Sequence, residues 1–205
     1  MPNPNHPKKG SSIKVEPIRQ KAAIERIKAA LLHGNKYRDY CLFVLGINTA
    51  LRANELLSLR IDQVLTLQAG DRLDVKQSKN RKYRAVTLNR NAAGALRQYI
   101  ENDKALQRRM SDRRAPLFYS RRGDALTVQA VHAMVKGWCK GAGLKGNYGS
   151  HSLRKTWGYW QYQSGNARTM PLLMEAFGHS SQKQTLDYLC IQAKDIEEIY
   201  TGLEL

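Results

Sequence analysis

The sequence predicts an α+β fold that is mainly helical and carries one small antiparallel sheet of two to three strands. Two observations predict it. Apolar residues recur at helical spacing through most of the chain, whereas only the stretch from Arg72 to Leu88 alternates in the manner of strands. Helical and extended segments also do not alternate along the chain, which argues against a parallel sheet built from βα units. At 205 residues the chain has room for one domain with a full core and a short arm.

Residues 1–16 hold three prolines and scattered apolar residues and read as a flexible basic arm. From Pro17 the pattern turns helical, with Ile18, Ala22, Ile24, Ile27 and Leu31 or Leu32 on one face, and Gly34 ends it. A second helix over 37–48 is apolar enough to be central. A third begins near Arg52 and carries Leu56, Leu57 and Leu59. RLDVKQS and KYRAVTL flank the polar turn SKNR and form a hairpin, with PLFY, residues 116–119, as a candidate third strand. Helices follow over 91–103, 127–139, 152–163, 170–177 and 184–190, and a tail helix starts near Lys194. The main domain is thus expected over 17–191 and the tail over 192–205.

Lys and Arg number 34 against 17 Asp and Glu, a formal net charge of +17. Such an excess attracts polyanions, and nucleic acid comes first because phosphate neutralisation supplies most of its non-specific affinity. The longest apolar run, CLFVLGI, is too short to span a membrane, and the N-terminus MPNPNHPKKGSS has no signal-peptide core. The chain is expected to be soluble and cytoplasmic, with no membrane partner. Cys41, Cys139 and Cys190 are odd in number and far apart, which fits reduced thiols rather than a disulfide framework or a zinc ribbon.

The stretch GAGLKG, residues 141–146, matches G-x-G-x-x-G but follows a helix and opens no βαβ unit, so glycines closing a helix explain it better than a dinucleotide site. His6, His33, His132, His151 and His179 stand in no metal-ligand spacing, and no cofactor is expected. In SHSLRKT, Ser152 is expected to cap a helix whose first turn holds Arg154, with His151 just before the cap. His151 and Arg154 then converge where backbone amides already favour a phosphate. An exposed Arg beside a capping-region His is the plainer account of that heptapeptide taken alone. NTALRANELLSL places Arg52 at the mouth of a helix with Glu55 one turn on, and QSKNRKYR is a basic hairpin tip; a surface ion pair and a solvated turn are their plainer accounts.

Together these pieces supply two arginines, a lysine, two histidines and Tyr188, which lies nine residues past His179 in FGHSSQKQTLDYLCI. Guanidinium groups stabilise the charge of a phosphoryl transition state, and a tyrosine oxygen is a covalent nucleophile once its proton is removed. Nothing in the set requires a metal. In TALRANELLSL, KQSKNRKYRAVTL, HSLRKT and FGHSSQKQTLDYL, in that order, the chain resembles the catalytic domain of the tyrosine recombinases, the phage-integrase family. The resemblance covers about residues 17–191, and the ordered set is far more specific than any one of the four pieces.

The resemblance implies the tyrosine-recombinase catalytic-domain fold and a site-specific DNA recombinase that works through a covalent 3′-phosphotyrosine. Arg52 and Arg154 would clamp the scissile phosphate, Lys79 would protonate the leaving 5′ oxygen, and His151 would move the nucleophile's proton. His179 would bond the phosphate, Tyr188 would attack, and Glu55 would buttress the site. Lys155 stands where a second histidine is frequent, and Gln182 replaces a commonly aliphatic residue. Many relatives carry an additional N-terminal helical domain; this chain is either a short stand-alone member, as the fimbrial-switch recombinases are, or a fragment, and its initial Met favours a natural start. Lys76, Arg81, Lys82, Arg84, Lys155 and Lys183 are expected to touch duplex phosphates.

In the family a C-terminal segment docks on a neighbouring protomer, so the tail, with Ile196, Ile199 and Leu203 at helical spacing, is expected either to do the same in a tetramer on DNA or to pack on its own domain. Two other readings are an architectural DNA-binding protein of this fold and a type IB topoisomerase-like relaxing enzyme. Against the first stands the tyrosine, which binding alone does not need.

Overall fold

A computed structural model describes residues 14–76, 83–166 and 168–191. In chain order its elements are α1 (Lys21–His33), α2 (Tyr37–Gly46), α3 (Ala53–Leu57), a 3₁₀ turn (Ile61–Gln63), β1 (Arg72–Lys76), β2 (Tyr83–Thr87), α4 (Arg90–Asn102), α5 (Lys104–Gln107), α6 (Val128–Gly141), α7 (Ser150–Ser164), α8 (Thr169–Phe177) and α9 (Gln182–Leu189). The mainly helical α+β architecture expected from the sequence is what forms.

Six consecutive residues of α2, Cys41 through Gly46, are buried, so this helix has no solvent face there and stands at the centre of the helical layer. It packs on α1, α3, α4 and α7. Side-chain caps fix several helix starts: Asn89 Oδ1 accepts from the Ala92 amide at 2.9 Å, Thr127 Oγ1 from Ala130 at 3.1 Å, and Ser181 Oγ from Gln184 at 3.2 Å. α6 closes at Gly141, and Gly143 takes φ +76°, so the glycine cluster does end a helix.

Among the described residues the sheet has two antiparallel strands, with Leu73 opposite Val86 and Val75 opposite Arg84. Leu73 and Val75 are buried, which turns that face of the hairpin to the core. PLFY does not join it. Pro116 and Tyr119 make isolated bridges to Arg60 and Ala125, leaving the segment a core-filling connection in which Leu117 and Phe118 are fully buried.

Two starts differ from expectation. Residues 17–20 are extended, because the Ile18 amide donates to Thr156 Oγ1 at 2.8 Å and its carbonyl accepts from Trp160 Nε1 at 3.0 Å; α1 therefore begins at Lys21. Glu16, assigned to the arm, is tied to Asn147 by a backbone bond of 2.8 Å. Two apolar clusters result. The large one joins α1 to α7, and a small one of Ala50, Leu173, Phe177 and Leu189, with Trp157 and Tyr188 against it, holds α8 and α9.

Candidate active site

The α2–α3 connection, β2, the first turns of α7 and the α8–α9 connection converge on one place. Arg52 precedes α3 in an extended conformation, and Glu55, three residues on, reaches back: its Oε2 accepts from the Arg52 amide at 2.8 Å and its Oε1 from Arg52 Nη1 at 3.0 Å. The Glu55 side chain is wholly buried, and its Oε2 also accepts from Arg84 Nη2 at 2.9 Å. A buried carboxylate needs such partners, since an unpaired one loses several kcal/mol of hydration, on the order of what unfolds a domain.

Arg154, only 3% exposed, donates to the carbonyls of Ala50, Ala176 and Phe177 and stacks its guanidinium 4.8 Å from the Phe177 ring centre. Arg84 donates to two of the same carbonyls, Ala50 at 3.0 Å and Ala176 at 3.2 Å. Two guanidinium groups thus share the Glu55 carboxylate while a third, Arg154, holds the neighbouring carbonyls, and the surplus positive charge suits an anion. Burial, with Arg52 and Arg84 adding to it, lowers the Arg154 pKa to about 10, so this arginine stays charged at neutral pH.

Tyr188 lies on α9 with its ring centre 5.1 Å from that of Phe177 and 5.2 Å from that of His179. Burial raises its pKa above the ordinary tyrosine value, while the charge and hydrogen bonding of Arg154 and the charge of Arg52 oppose the rise. The phenol is therefore protonated at rest and faces the groups that would stabilise its anion. His179 Nδ1 lies 3.1 Å from Thr185 Oγ1, whose proton is directed to the Ser181 carbonyl at 3.3 Å. That assigns the ring proton to Nδ1 and leaves Nε2 unoccupied in the neutral tautomer. Burial, then Arg154 and Arg52, lower the His179 pKa.

Gly149, not Ser152, occupies the cap of α7; Ser152 is its third residue, and its Oγ accepts from the Gly149 amide at 3.1 Å. A Cβ at Gly149 would lie 2.2 Å from the exposed His132 ring, which any larger residue there would have to displace. His151 falls inside the first turn and is exposed. Local desolvation of its ring, then the charges of Lys155, Arg154, Arg52 and His132, hold its pKa below 6.5.

Two expected phosphate contacts are placed otherwise. Arg84 is committed to Glu55 and two carbonyls, and Lys155, 4% exposed, points its Nζ at the Tyr188 ring (4.9 Å) and at Cys190 Sγ (3.4 Å). Neither side chain is on a free surface. Lys76 and Lys183 are exposed, whereas Lys79, Arg81 and Lys82 lie outside the described residues. A cavity of about 890 Å³ borders Arg52, Arg84, Trp157 and Phe177, but His151, Arg154 and Tyr188 do not line it. Among the described residues no group of three or more His, Cys, Asp or Glu converges to hold a metal ion.

Residues 19–194 match the model of the phage integrase family. The chain belongs to that family. It is 31% identical over 186 residues to the probable integrase/recombinase YoeC of Bacillus subtilis (strain 168), covering 91% of this chain and 95% of that one. It is 30% identical over 164 residues to the tyrosine recombinase XerC of Caldanaerobacter subterraneus subsp. tengcongensis, covering 80% of this chain and 44% of that one. Against the XerC and XerD recombinases the chain spans about half of their length. Among solved structures it resembles XerA recombinase (TM-score 0.70, 24% identity, covering 96% of this chain and 66% of that one). It also resembles XerH site-specific recombinase bound to a palindromic difH substrate after cleavage (TM-score 0.69, 25% identity, covering 94% and 54%).

In this integrase-family chain Arg52, His151, Arg154, His179 and Tyr188 come together from three separate parts of the sequence. Thr185, which orients His179, was not singled out from the sequence; its signal is a small polar residue in the first turn of the helix that carries Tyr188. The inward placement of Arg84 was signalled by the alternation in KYRAVTL, which puts it on the same face as Val86 and Leu88.

Proposed function

We propose that the protein is a site-specific DNA recombinase that cleaves and rejoins strands through Tyr188. The phenolic oxygen forms a bond to the scissile phosphorus while the bond from phosphorus to the 5′ oxygen breaks. The products are a 3′-phosphotyrosine and a 5′ hydroxyl. Arg52 and Arg154 bind the non-bridging oxygens, and His179 joins them once a bound phosphate raises its proton affinity. His151 takes part in removing the phenol proton, and Lys79 donates one to the leaving oxygen. Because the ester keeps the energy of the broken bond, a second strand's 5′ hydroxyl reverses the step without ATP.

The observation that carries this reading is the packing of the Tyr188 ring against His179 beside a nearly buried arginine that is held by three backbone carbonyls. A tyrosine placed only to fill the core would not need a cation focused on its oxygen. The partner is double-stranded DNA, with assembly into a tetramer on it; residues 1–16 act as a basic arm, 17–191 as the catalytic domain and 192–205 as the tail that docks between protomers.

A nicked duplex that loses its 5′ fragment after attack traps the adduct. A covalent band is expected on a denaturing gel, abolished in Tyr188→Phe and retained in EDTA. Adduct formation by Tyr188→Phe at the wild-type level would refute the assignment.

A further inference from the structure

Arg84 was expected on the DNA, yet its guanidinium is among the most heavily committed polar groups in the protein. It sits opposite Val75 on the core face of the hairpin, and its side chain is 16% exposed. Its two terminal nitrogens serve three acceptors, namely Glu55 Oε2 at 2.9 Å and the carbonyls of Ala50 at 3.0 Å and Ala176 at 3.2 Å. Its buried Nε has no hydrogen-bond partner, so the residue is held by its planar tip alone.

We infer that Arg84 is a positioning residue for Arg52, acting through their shared carboxylate, and is not a DNA phosphate contact. A lone buried carboxylate facing Arg52 would draw that guanidinium into a two-pronged pair and neutralise it. Arg84 takes one side of the carboxylate instead, so Arg52 meets the other side through Nη1 only. Arg52 Nη2 is left with a long 3.5 Å approach to the Phe177 carbonyl, and the side chain stays 31% exposed. Those remaining donors are the ones a phosphate would use.

The two carbonyl bonds also pin β2 to the chain just before Arg52 and just before Phe177. Lysine cannot reproduce this. An ammonium is a point charge on a flexible stem, whereas the planar fork reaches an acid and two carbonyls at once.

The inference rests on the recombinase reading, and one experiment separates the two. Single-turnover cleavage of the nicked duplex, the dissociation constant, and the slope of log affinity against log salt are measured for wild type, Arg84→Lys, Arg84→Gln, Glu55→Gln and the Arg84→Gln/Glu55→Gln pair. Absence of adduct in wild type would refute the recombinase reading itself. With wild type active, Arg84→Lys and Arg84→Gln are expected to cleave roughly 100-fold more slowly, the scale of a misplaced catalytic group, and any fall in salt slope from the capture of Arg52 is expected to be reversed in the pair. The pair is expected to cleave no more slowly than Arg84→Gln, because the carboxylate that would capture Arg52 is gone.

A salt slope reduced by about one in Arg84→Gln and not restored in the Arg84→Gln/Glu55→Gln pair would make the residue a phosphate contact and overturn the inference. So would wild-type cleavage by either single variant. If circular dichroism finds Arg84→Gln unfolded, Arg84→Lys decides alone, since a phosphate contact would tolerate lysine and the bridge would not.

Discussion

At the scale of the residue, charge is managed by pairing and by burial in equal measure. His179 and His151 are both shifted to lower pKa, and the sign of the consequence follows from proton counting. The folded protein binds fewer protons than the unfolded chain between the lowered values and 6.5, so stability is full above 6.5 and is lost as the pH falls from there through the folded values. NMR titration of the free protein is expected to give both rings midpoints below 6.5. Binding a duplex is expected to raise the His179 midpoint, because a phosphate replaces water beside it; a midpoint that does not move on binding would remove His179 from the phosphate. Lys155 offers a second check at this scale. Its Nζ lies over the Tyr188 ring, so Lys155→Met is expected to leave the salt slope of DNA binding unchanged while slowing cleavage.

At the scale of the element, the position of Tyr188 depends on how α9 is held. It is anchored in the small apolar cluster, where fully buried Leu189 contributes about 1.5–3 kcal/mol, and not in the large core. α7 approaches it closely at Gly158, where an added Cβ would lie 2.4 Å from Phe177 Cζ and 2.8 Å from Leu189 Cδ2. Gly158→Ala is therefore expected to destabilise the protein by about 1–3 kcal/mol despite the better helix propensity of alanine, and to slow cleavage by displacing Tyr188. Thermal melting and the trapping gel read the two effects.

Most elements could be read in the sequence because apolar spacing reports burial directly. The start of α7 could not: serine is the better cap by propensity, but Ser152 lies at the third helical position, where its Oγ reaches back to the Gly149 amide as the distal half of the cap. Arg84 and Lys155 lie further inside than expected for a related reason. Charged side chains are usually exposed; the alternation in KYRAVTL already argues against that default for Arg84, whereas for Lys155 only the tertiary meeting with Tyr188 reverses it.

At the scale of the whole molecule, a net charge of +17 on 205 residues sets how the protein meets DNA. With six to ten phosphates neutralised, affinity is expected to fall about 10³–10⁵-fold between 50 and 200 mM salt. Filter binding at several salt concentrations measures it, and a flat response would remove the electrostatic basis of the proposed partner. Among the described residues no helix is long and apolar enough to cross a membrane.

The most direct test of the account is to digest the trapped adduct with trypsin and identify by mass spectrometry the peptide that carries nucleotide. The expected peptide is QTLDYLCIQAK, residues 184–194, modified at Tyr188. Nucleotide on the C-terminal peptide bearing Tyr200, or on any other tyrosine, would contradict it.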